Sequence, residues 1–358
     1  MLKLRYIDAI RGIAILGVFM VHVCVDPRLP SFLLQVISLG AKGVQLFFIA
    51  SAFTLFLSMD KRTTIEKYPL GNFFTRRFFR IAPMYYLGII YYCFQSTYAG
   101  NNISPELVTS NILFVHGVRP DWINSLVPGG WSITVEMMFY CMVPFIFSAV
   151  NTIQKAMVFL GITMVFRLVC LVMLKRYLLT DETDLNHDFL YYYLPNQLPI
   201  FALGIFMYQF IRNKYSFTGT RWTGWALLLT AIIVNCVVRS MIPYHFFISI
   251  AFVLLFVILS KRSYKLFVNR FTIYLGKISF SLYLVHFAVN FWTSRWMTEF
   301  ALSDKIGFKA AFALQVGTIF LLSVAISTLF YHFVELKMQI VGKTIIRKRE
   351  MGALEEPA

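Results

Sequence analysis

The sequence contains few charged residues for its length. Asp, Glu, Lys and Arg make up 14% of the 358 residues, hydrophobic residues make up 58%, and aromatic residues make up 17%. The mean hydropathy is +0.68. These values lie outside the range of soluble globular domains. The composition therefore excludes a soluble enzyme and indicates an integral membrane protein with several spans.

Cysteine is scarce, and its spacing suits neither disulfides nor a metal. The five cysteines are odd in number, lie in apolar segments and form no CxxC pair. The sequence also lacks an HExxH motif and a phosphate-binding GxxxxGK[ST] loop. We therefore expect no disulfide framework, no metal ion and no resident cofactor.

Long hydrophobic runs are abundant. A run of about 17–25 apolar residues is long enough to cross the hydrocarbon core of a bilayer as a helix. An all-α fold with about ten transmembrane helices follows from these runs. A shorter run, residues 110–117, predicts an interfacial or re-entrant segment. The ten predicted spans are residues 8–25, 38–59, 78–97, 131–150, 156–174, 189–211, 222–238, 243–260, 273–294 and 308–334.

The basic residues predict how the chain is oriented. The net charge of +16 is dispersed between the spans, which argues for membrane topology rather than for nucleic-acid binding. With the N-terminus inside, 22 Lys and Arg residues fall on the inner side and nine on the outer side. We expect both termini in the cytoplasm, a transmembrane domain over residues 1–336, and a basic then acidic cytoplasmic tail over residues 337–358.

The first span carries three ionisable residues. A charge at the bilayer centre costs about 2.5–3.5 kcal/mol on insertion scales, so Asp8, Arg11 and His22 need partners or a function. Arg11 and His22 lie on one helix face, ~16 Å apart along the axis at 1.5 Å per residue. Asp8 is spaced for a local ion pair with Arg11. The alternative interpretation is that Arg11 reaches the inner interface and His22 is an interior hydrogen-bonded residue.

A second polar cluster, GGWSITVEMMFY, occupies residues 129–140. Ser132 and Glu136 share a helix face, and we place Glu136 at the depth of His22. A histidine beside a carboxylate is typical of a general base and its orienting partner. The alternative is that Ser132 caps the helix and Trp131 anchors it at the interface.

Two further regions supply candidate binding residues. Arg77 and Arg80, three residues apart, form a basic edge suited to phosphate groups, although positive-inside anchoring would also place arginines there. The polar break GVQLFFIASAF contains Ser51, and ISFSLYLVHF contains Tyr283 and His286, which we place toward the inner half of its helix.

These segments together resemble the membrane-bound acyltransferase family 3. The resemblance covers about residues 4–335, and its six motifs occur in the family's order. The sequence departs from the family pattern at Gln45, where Asp is usual, and at Ala52, where Gly is usual. The motifs are YIDAIRGIAIL with Arg11, ten residues and His22, then GVQLFFIASAF, RRFFRIAP, WSITVEMMFY, LPIFALG and SFSLYLVH.

The resemblance implies an O-acyltransferase that uses acyl-CoA, usually acetyl-CoA, as co-substrate. It implies essential roles for Arg11 and His22 and a supporting role for Glu136. We expect His22 and Glu136 to be the catalytic pair. Acyl-CoA would be bound by Arg11, Ser51, Arg77 and Arg80, and the supporting residues would be Asp8, Trp131, Ser132, Tyr283 and His286.

The resemblance also implies an acceptor and a location. Stand-alone relatives, which lack a fused serine-hydrolase-like domain, commonly modify a lipid-linked or polymerised bacterial glycan such as O-antigen or exopolysaccharide. We therefore expect a protein of the bacterial inner membrane that contacts lipid, acyl-CoA and a glycan. Direct transfer and an acyl-enzyme relay both remain open. The alternatives are a glycan or lipid transporter, or a non-catalytic partner protein.

Overall fold

The computed structural model describes residues 4–179, 181, 183–213, 244–262, 264–299 and 306–355. Within these ranges the chain forms α-helices and no strand, which confirms the all-α prediction. Two 3₁₀ turns, Gly40–Lys42 and His116–Val118, and a π-helical turn, Tyr331–Glu335, lie between helices. The helices are α1 (Arg5–Val23), α2 (Ser31–Leu39), α3 (Gly43–Arg62), α4 (Pro69–Tyr98), α5 (Pro105–Ile112), α6 (Gly130–Ala149), α7 (Ile153–Tyr177), α8 (Asp184–Tyr192), α9 (Leu194–Arg212), α10 (Tyr244–Lys261), α11 (Arg270–Lys277), α12 (Ser279–Glu299), α13 (Phe308–Phe330) and α14 (Leu336–Glu355).

Seven helical segments of the described chain are long and apolar enough to cross a membrane, or eight if the bent pair α11–α12 forms one span. Helix α4 has 30 residues, but its arginines and tyrosines lower its hydropathy and it is not among them. The predicted span 222–238 lies outside the described residues. The count of ten spans and the cytoplasmic side of the termini therefore stay predictions.

Local sequence signals account for several helix ends. The hydroxyl oxygens of Ser104 and Thr152 each accept a backbone N–H from the first turn of α5 and of α7, both at 3.2 Å. Asn269 does the same for α11, where Thr272 completes a capping box. Such caps satisfy amides that have no partner inside the helix. The run 110–117 contains only the end of α5 and part of the 3₁₀ turn His116–Val118, so it forms no span, as expected.

Helix α1 lies in the centre of the structure. Its Ala9, Ile10 and Ile15 are fully buried, and it packs against α3, α11 and α12. Helix α11 approaches α1 very closely, because a Cβ added at Gly276 would lie 1.8 Å from the carbonyl oxygen of Asp8. Only glycine permits this approach.

The chain bends by 79° between α11 and α12. Beyond the bend, the backbone N–H of Ser281 donates to a carboxylate oxygen of Glu335 at 3.0 Å, and the Ser281 hydroxyl donates to the same oxygen. Glu335 is buried in the π-helical turn, so it satisfies the buried start of α12. Ser279 lines a cavity with Arg11, which places the first residue of α12 inside the bundle near Arg11.

Candidate active site

Two adjoining cavities contain most of the predicted site residues. The first, which we call the Arg11 cavity, has a volume of about 70 Å³. Helices α1, α3, α4, α6 and α12 contribute its walls. The predicted residues that line it are Arg11, Ser51, Arg80, Ser132, Glu136 and Tyr283.

Glu136 lies in the wall of the Arg11 cavity and is held by two hydroxyl groups. Its Oε1 accepts hydrogen bonds from the Ser51 hydroxyl at 2.5 Å and from the Tyr140 hydroxyl at 2.6 Å. Helix α6 presents Tyr140 four residues after Glu136, on the same face. Glu136 is therefore oriented by α3 and by its own helix.

The Arg11 side chain extends from α1 to α3, where its Nη2 donates to the Thr54 hydroxyl at 3.2 Å. The predicted ion pair between Asp8 and Arg11 is wrong, since none of the ion pairs of the described residues joins them. The reason is geometric. The backbone of Asp8 packs against Gly276, whereas the Arg11 side chain extends into the cavity toward α3.

Three arginines in the first half of α4 have different surroundings. Glu66 binds Arg76 through two hydrogen bonds, at 2.9 and 3.1 Å. Burial raises the pKa of Glu66, but its hydrogen bonds with Arg76 and Arg62 outweigh burial and leave that pKa below the ordinary value. The Arg77 guanidinium lies over the ring of Tyr140, 5.9 Å from its centroid. Arg80 lines the Arg11 cavity and makes no ion pair with the described residues.

The second cavity, the His22 pocket, has a volume of about 470 Å³. Its walls include the aromatic rings of Trp131, Tyr191 and Tyr192, and the polar side chains of Lys42 and Asn124. Val44 and Tyr283 line both cavities, so these two side chains stand between them. The structure thus places His22 in one cavity and Arg11 and Arg80 in the adjoining one.

His22 contacts a second histidine rather than Glu136. The distance between His22 Nδ1 and His286 Nε2 is 3.3 Å, and no hydrogen bond joins His22 to Glu136. The predicted pairing of His22 with Glu136 is therefore wrong. Glu136 lies a helical turn beyond Ser132, ~6 Å further along α6 at 1.5 Å per residue, and it faces the Arg11 cavity instead.

The hydrogen bonds of His286 indicate which ring nitrogen of His22 carries the proton. His286 Nδ1–H donates to the carbonyl oxygen of Leu282 at 2.9 Å, because a carbonyl can only accept. The ring is fully buried and therefore neutral, so its Nε2 is an acceptor. His22 Nδ1–H must then donate to that Nε2. The unprotonated nitrogen of His22 is its Nε2, which is the nitrogen a general base needs.

Further contacts hold the end of α1 and the start of α6. Asn290 on α12 donates to the carbonyl oxygen of His22 at 3.3 Å. The Tyr283 hydroxyl donates to the carbonyl oxygen of Gly129 and accepts from the Ser132 hydroxyl, both at 2.9 Å. Ser132 is thus hydrogen-bonded at the start of α6, but it does not cap the helix: the N-cap is Gly129, and no side chain of the described residues accepts a backbone N–H from the first turn.

The remaining predicted residues have structural surroundings. Trp131 is buried, and its ring stacks on Tyr192 with centroids 4.5 Å apart, so it lines the His22 pocket rather than lying at a free surface. His116 is also buried, and its Nε2 lies 3.1 Å from the carbonyl oxygen of Gly130. Burial lowers the pKa of His116.

Sequence reasoning missed three residues that shape the site, Lys42, Thr54 and Tyr140, and it also missed the contact of His286 with His22. Tyr140 could have been found from its spacing of four residues after Glu136. The His286 contact had no such signal, because it depends on the bend before α12. Among the described residues no three His, Cys, Asp or Glu side chains gather to hold a metal ion.

Comparison with known proteins shows the family of the chain. Residues 4–332 match a family described as an acyltransferase domain. The chain therefore belongs to the membrane-bound acyltransferase family 3, as the motifs predict. It is similar to the acyltransferase MdmB of Streptomyces mycarofaciens, with 26% identity over 163 residues. That alignment covers 42% of this chain and 41% of the relative, so the chain matches less than half of the relative's length. No solved structure matches the chain.

Proposed function

We propose that this membrane protein is an O-acyltransferase that moves an acetyl group from cytoplasmic acetyl-CoA to a hydroxyl of a bacterial surface glycan. The observation that carries the proposal is the position of His22, which lines an aromatic and polar pocket beside an arginine-lined cavity and whose Nδ1 lies 3.3 Å from His286 Nε2. A base without a proton, next to a space for an acceptor, is what acyl transfer to a hydroxyl requires.

The donor is proposed to enter from the Arg11 side. Arg77 and Arg80 would bind CoA phosphates, since guanidinium groups bind phosphate through charge-assisted hydrogen bonds. Arg11 and Ser51 would contact the pantetheine arm. The Arg11 cavity, at about 70 Å³, is smaller than the roughly 300–1,000 Å³ of typical ligand pockets. We therefore expect its side chains to move apart when the donor binds.

The reaction is proposed as direct transfer. His22 Nε2 removes the proton of the acceptor hydroxyl as its oxygen attacks the thioester carbonyl. The carbon–sulfur bond breaks, and the imidazolium of His22 returns the proton to the thiolate, which leaves as CoA. His286 holds the proton of His22 on Nδ1, so that Nε2 stays available. Glu136 positions Ser51 and Tyr140 and offsets part of the positive charge of Arg11 and Arg80.

The proposed location is the inner membrane, with the His22 pocket facing outward. Within the described residues, the pocket lies where the loops before α3 and α6 meet, whereas the half of α4 that carries the arginines starts from the opposite end of α3. This arrangement would separate a cytoplasmic donor from an outer glycan, as the charge distribution of the sequence predicts.

The test compares wild type, His22→Ala and Arg80→Gln. We expect His22→Ala to lose acetylation of surface glycans by about 10²-fold or more while it still binds radiolabelled acetyl-CoA. Arg80→Gln should weaken acetyl-CoA binding by about tenfold or more. Mass spectrometry of the glycans and binding to purified protein provide the readouts, after membrane levels of each variant are matched.

Arg176→Gln is the control, because it removes an equal charge from the exposed end of α7. Wild-type acetylation by His22→Ala would disprove the assigned base. A wild-type protein that binds no acetyl-CoA would instead favour the transporter or the non-catalytic partner.

A further inference from the structure

Lys42 is the cationic side chain in the wall of the His22 pocket. It lies in the 3₁₀ turn Gly40–Lys42, and its Nζ donates to the Tyr191 hydroxyl at 2.8 Å. The amine also lies 4.8 Å from the centroid of the Tyr191 ring. None of the ion pairs among the described residues includes Lys42. Its charge is therefore not neutralised by a carboxylate of the described chain.

The groups around the Lys42 amine are neutral and already fixed. Gln45 Nε2 donates to Gln197 Oε1 at 3.1 Å and lies 3.4 Å from the same Tyr191 hydroxyl. The backbone carbonyl oxygen of Tyr191 accepts from the amides of Asn196 and Gln197 at 2.7 and 2.6 Å. Three carboxamides thus fix Tyr191, whose hydroxyl accepts the hydrogen bond of Lys42, and none of these groups carries a negative charge.

The wider surroundings add positive rather than negative charge. Behind the amides, Arg167 Nε donates to the Asn196 side-chain oxygen at 2.7 Å. Asp26 and Asp121, in the loops on this side, are paired with neighbouring arginines. Asp188 is exposed and within electrostatic range of Tyr192 but makes no ion pair with Lys42.

The rest of the pocket suits a carbohydrate. The stacked rings of Trp131 and Tyr192 offer an apolar face against which the C–H groups of a sugar ring can pack. Asn124 adds a neutral hydrogen-bonding side chain. The volume of about 470 Å³ lies within the roughly 300–1,000 Å³ range of pockets for small ligands.

We infer that the acceptor is anionic: a sugar unit bearing a carboxylate or a phosphate, which Lys42 holds while the sugar presents a hydroxyl to His22 Nε2. The inference rests on the proposed function, because it names the substrate class of the same site. A charge-assisted hydrogen bond to a lysine with no carboxylate partner would bind the anion and set the orientation of the sugar.

The experiment measures sugar binding to the full-length protein in lipid nanodiscs by isothermal titration calorimetry. The probes are a methyl glucuronoside, its uncharged carboxamide and a methyl glucoside 6-phosphate. The glucuronoside or the phosphate should bind about tenfold or more tightly than the carboxamide. The tighter of the two anions identifies whether a carboxylate or a phosphate is recognised.

The variants test whether Lys42 causes the preference. Lys42→Gln should bring the affinity ratio of anionic to neutral sugar to about one, and Lys42→Arg should retain most of it. Gln45→Glu should lower the ratio, because it places a carboxylate beside the Tyr191 hydroxyl that Lys42 uses. Lys175→Gln, on the exposed end of α7, is the charge-matched control and should leave the ratio unchanged.

Equal affinity for the glucuronoside and the carboxamide in wild type, no binding of either anion, or a ratio unchanged in Lys42→Gln would each overturn the inference. Acetyl transfer from radiolabelled acetyl-CoA is measured in the same samples. An anionic preference without transfer supports the role of Lys42 and contradicts the proposed reaction. Transfer without a preference contradicts the role of Lys42 and leaves the reaction standing.

Discussion

At the residue scale, the site depends on which nitrogen of a histidine carries the proton. A neutral imidazole has one donor and one acceptor, and its partner decides which is which. His286 is bound to a backbone carbonyl through Nδ1, and this bond leaves only Nε2 to face His22. A neutral, buried histidine can thus accept the N–H of a catalytic histidine, a role that a carboxylate commonly has.

Replacement of His286 tests its contact with His22. We expect His286→Phe to lower kcat for acyl transfer by about 10–100-fold and to change the KM for acyl-CoA less than about threefold. Without an acceptor for Nδ1–H, His22 can carry its proton on either nitrogen, and part of the population loses its base. Steady-state kinetics with the purified variant provides the measurement.

Two further variants separate positioning from packing in that experiment. His286→Gln places an amide oxygen near His22 and should recover part of kcat. His332→Phe is the matched control, because His332 also donates through Nδ1 to the carbonyl four residues earlier but is exposed. An unchanged kcat in His286→Phe would show that His286 does not position His22.

At the element scale, the short helix α11 determines where α12 begins. Gly12 and Gly276 are the points of closest approach of α1 and α11, since an added Cβ at either would lie within 2 Å of the backbone of the other helix, 1.9 Å from Thr272 O and 1.8 Å from Asp8 O. Because α11 is held so close, the bend that follows lies inside the bundle. Helix α12 then brings His286 to His22.

We therefore predict that Gly276→Ala destabilises the protein. The added methyl group meets a backbone oxygen that cannot rotate away, and overpacking of this kind costs about 1–3 kcal/mol. A thermal-unfolding assay of the detergent-purified protein should show a lower Tm. The displaced α12 should also lower acyl transfer.

Gly161→Ala and Gly317→Ala serve as controls for helical glycines, because no atom lies within 4 Å of the added Cβ at either position. Both should leave the Tm unchanged or raise it slightly, since alanine favours the helix by about 0.5–1 kcal/mol. A Tm loss of equal size in all three variants would rule out the contact with α1 as the cause.

At the scale of the whole molecule, α14 is hydrogen-bonded to the start of α4, the helix that carries Arg76, Arg77 and Arg80. Glu350 on α14 accepts the backbone N–H groups of Lys67 and Tyr68 at 2.9 and 3.1 Å, and the amide of Asn72 at 2.6 Å. Arg349 donates to the Asn72 side-chain oxygen at 3.1 Å. The segment predicted as a tail is therefore a helix that fixes the start of α4.

Loss of the hydrogen bonds of Glu350 should make local unfolding of α14 more frequent. We predict that Glu350→Ala raises the rate of thermolysin cleavage within α14 about fivefold, because the backbone amides of Lys67 and Tyr68 and the side chain of Asn72 lose their shared acceptor. Lys348→Gln, an exposed neighbour, should cleave at the wild-type rate. Equal rates for wild type and Glu350→Ala would mean that the contact adds nothing to the stability of α14.

The helical fold could be predicted from the sequence because apolar length is a local property. The runs that became α1, α3, α6 and α7 are long enough to span, and their flanking polar residues end them near the predicted positions. Helix α12 shows the limit of this reasoning. Its run was predicted as one span, whereas the bend after α11 depends on contacts with α1 and with Glu335, which are distant in sequence.

The sequence by itself determined the class of the protein and identified many of the residues that line the two cavities. Arg11, Ser51, Arg80 and Glu136 line one cavity because each lies on an apolar helix at a spacing that turns it inward. Only the tertiary structure decided the partners. The pairing of His22 with His286, of Arg11 with Thr54 and of Glu136 with Ser51 depends on which helices are neighbours and at what depth. The spacing along a helix predicts on which face a residue lies, but the packing between helices determines which side chains that face contacts.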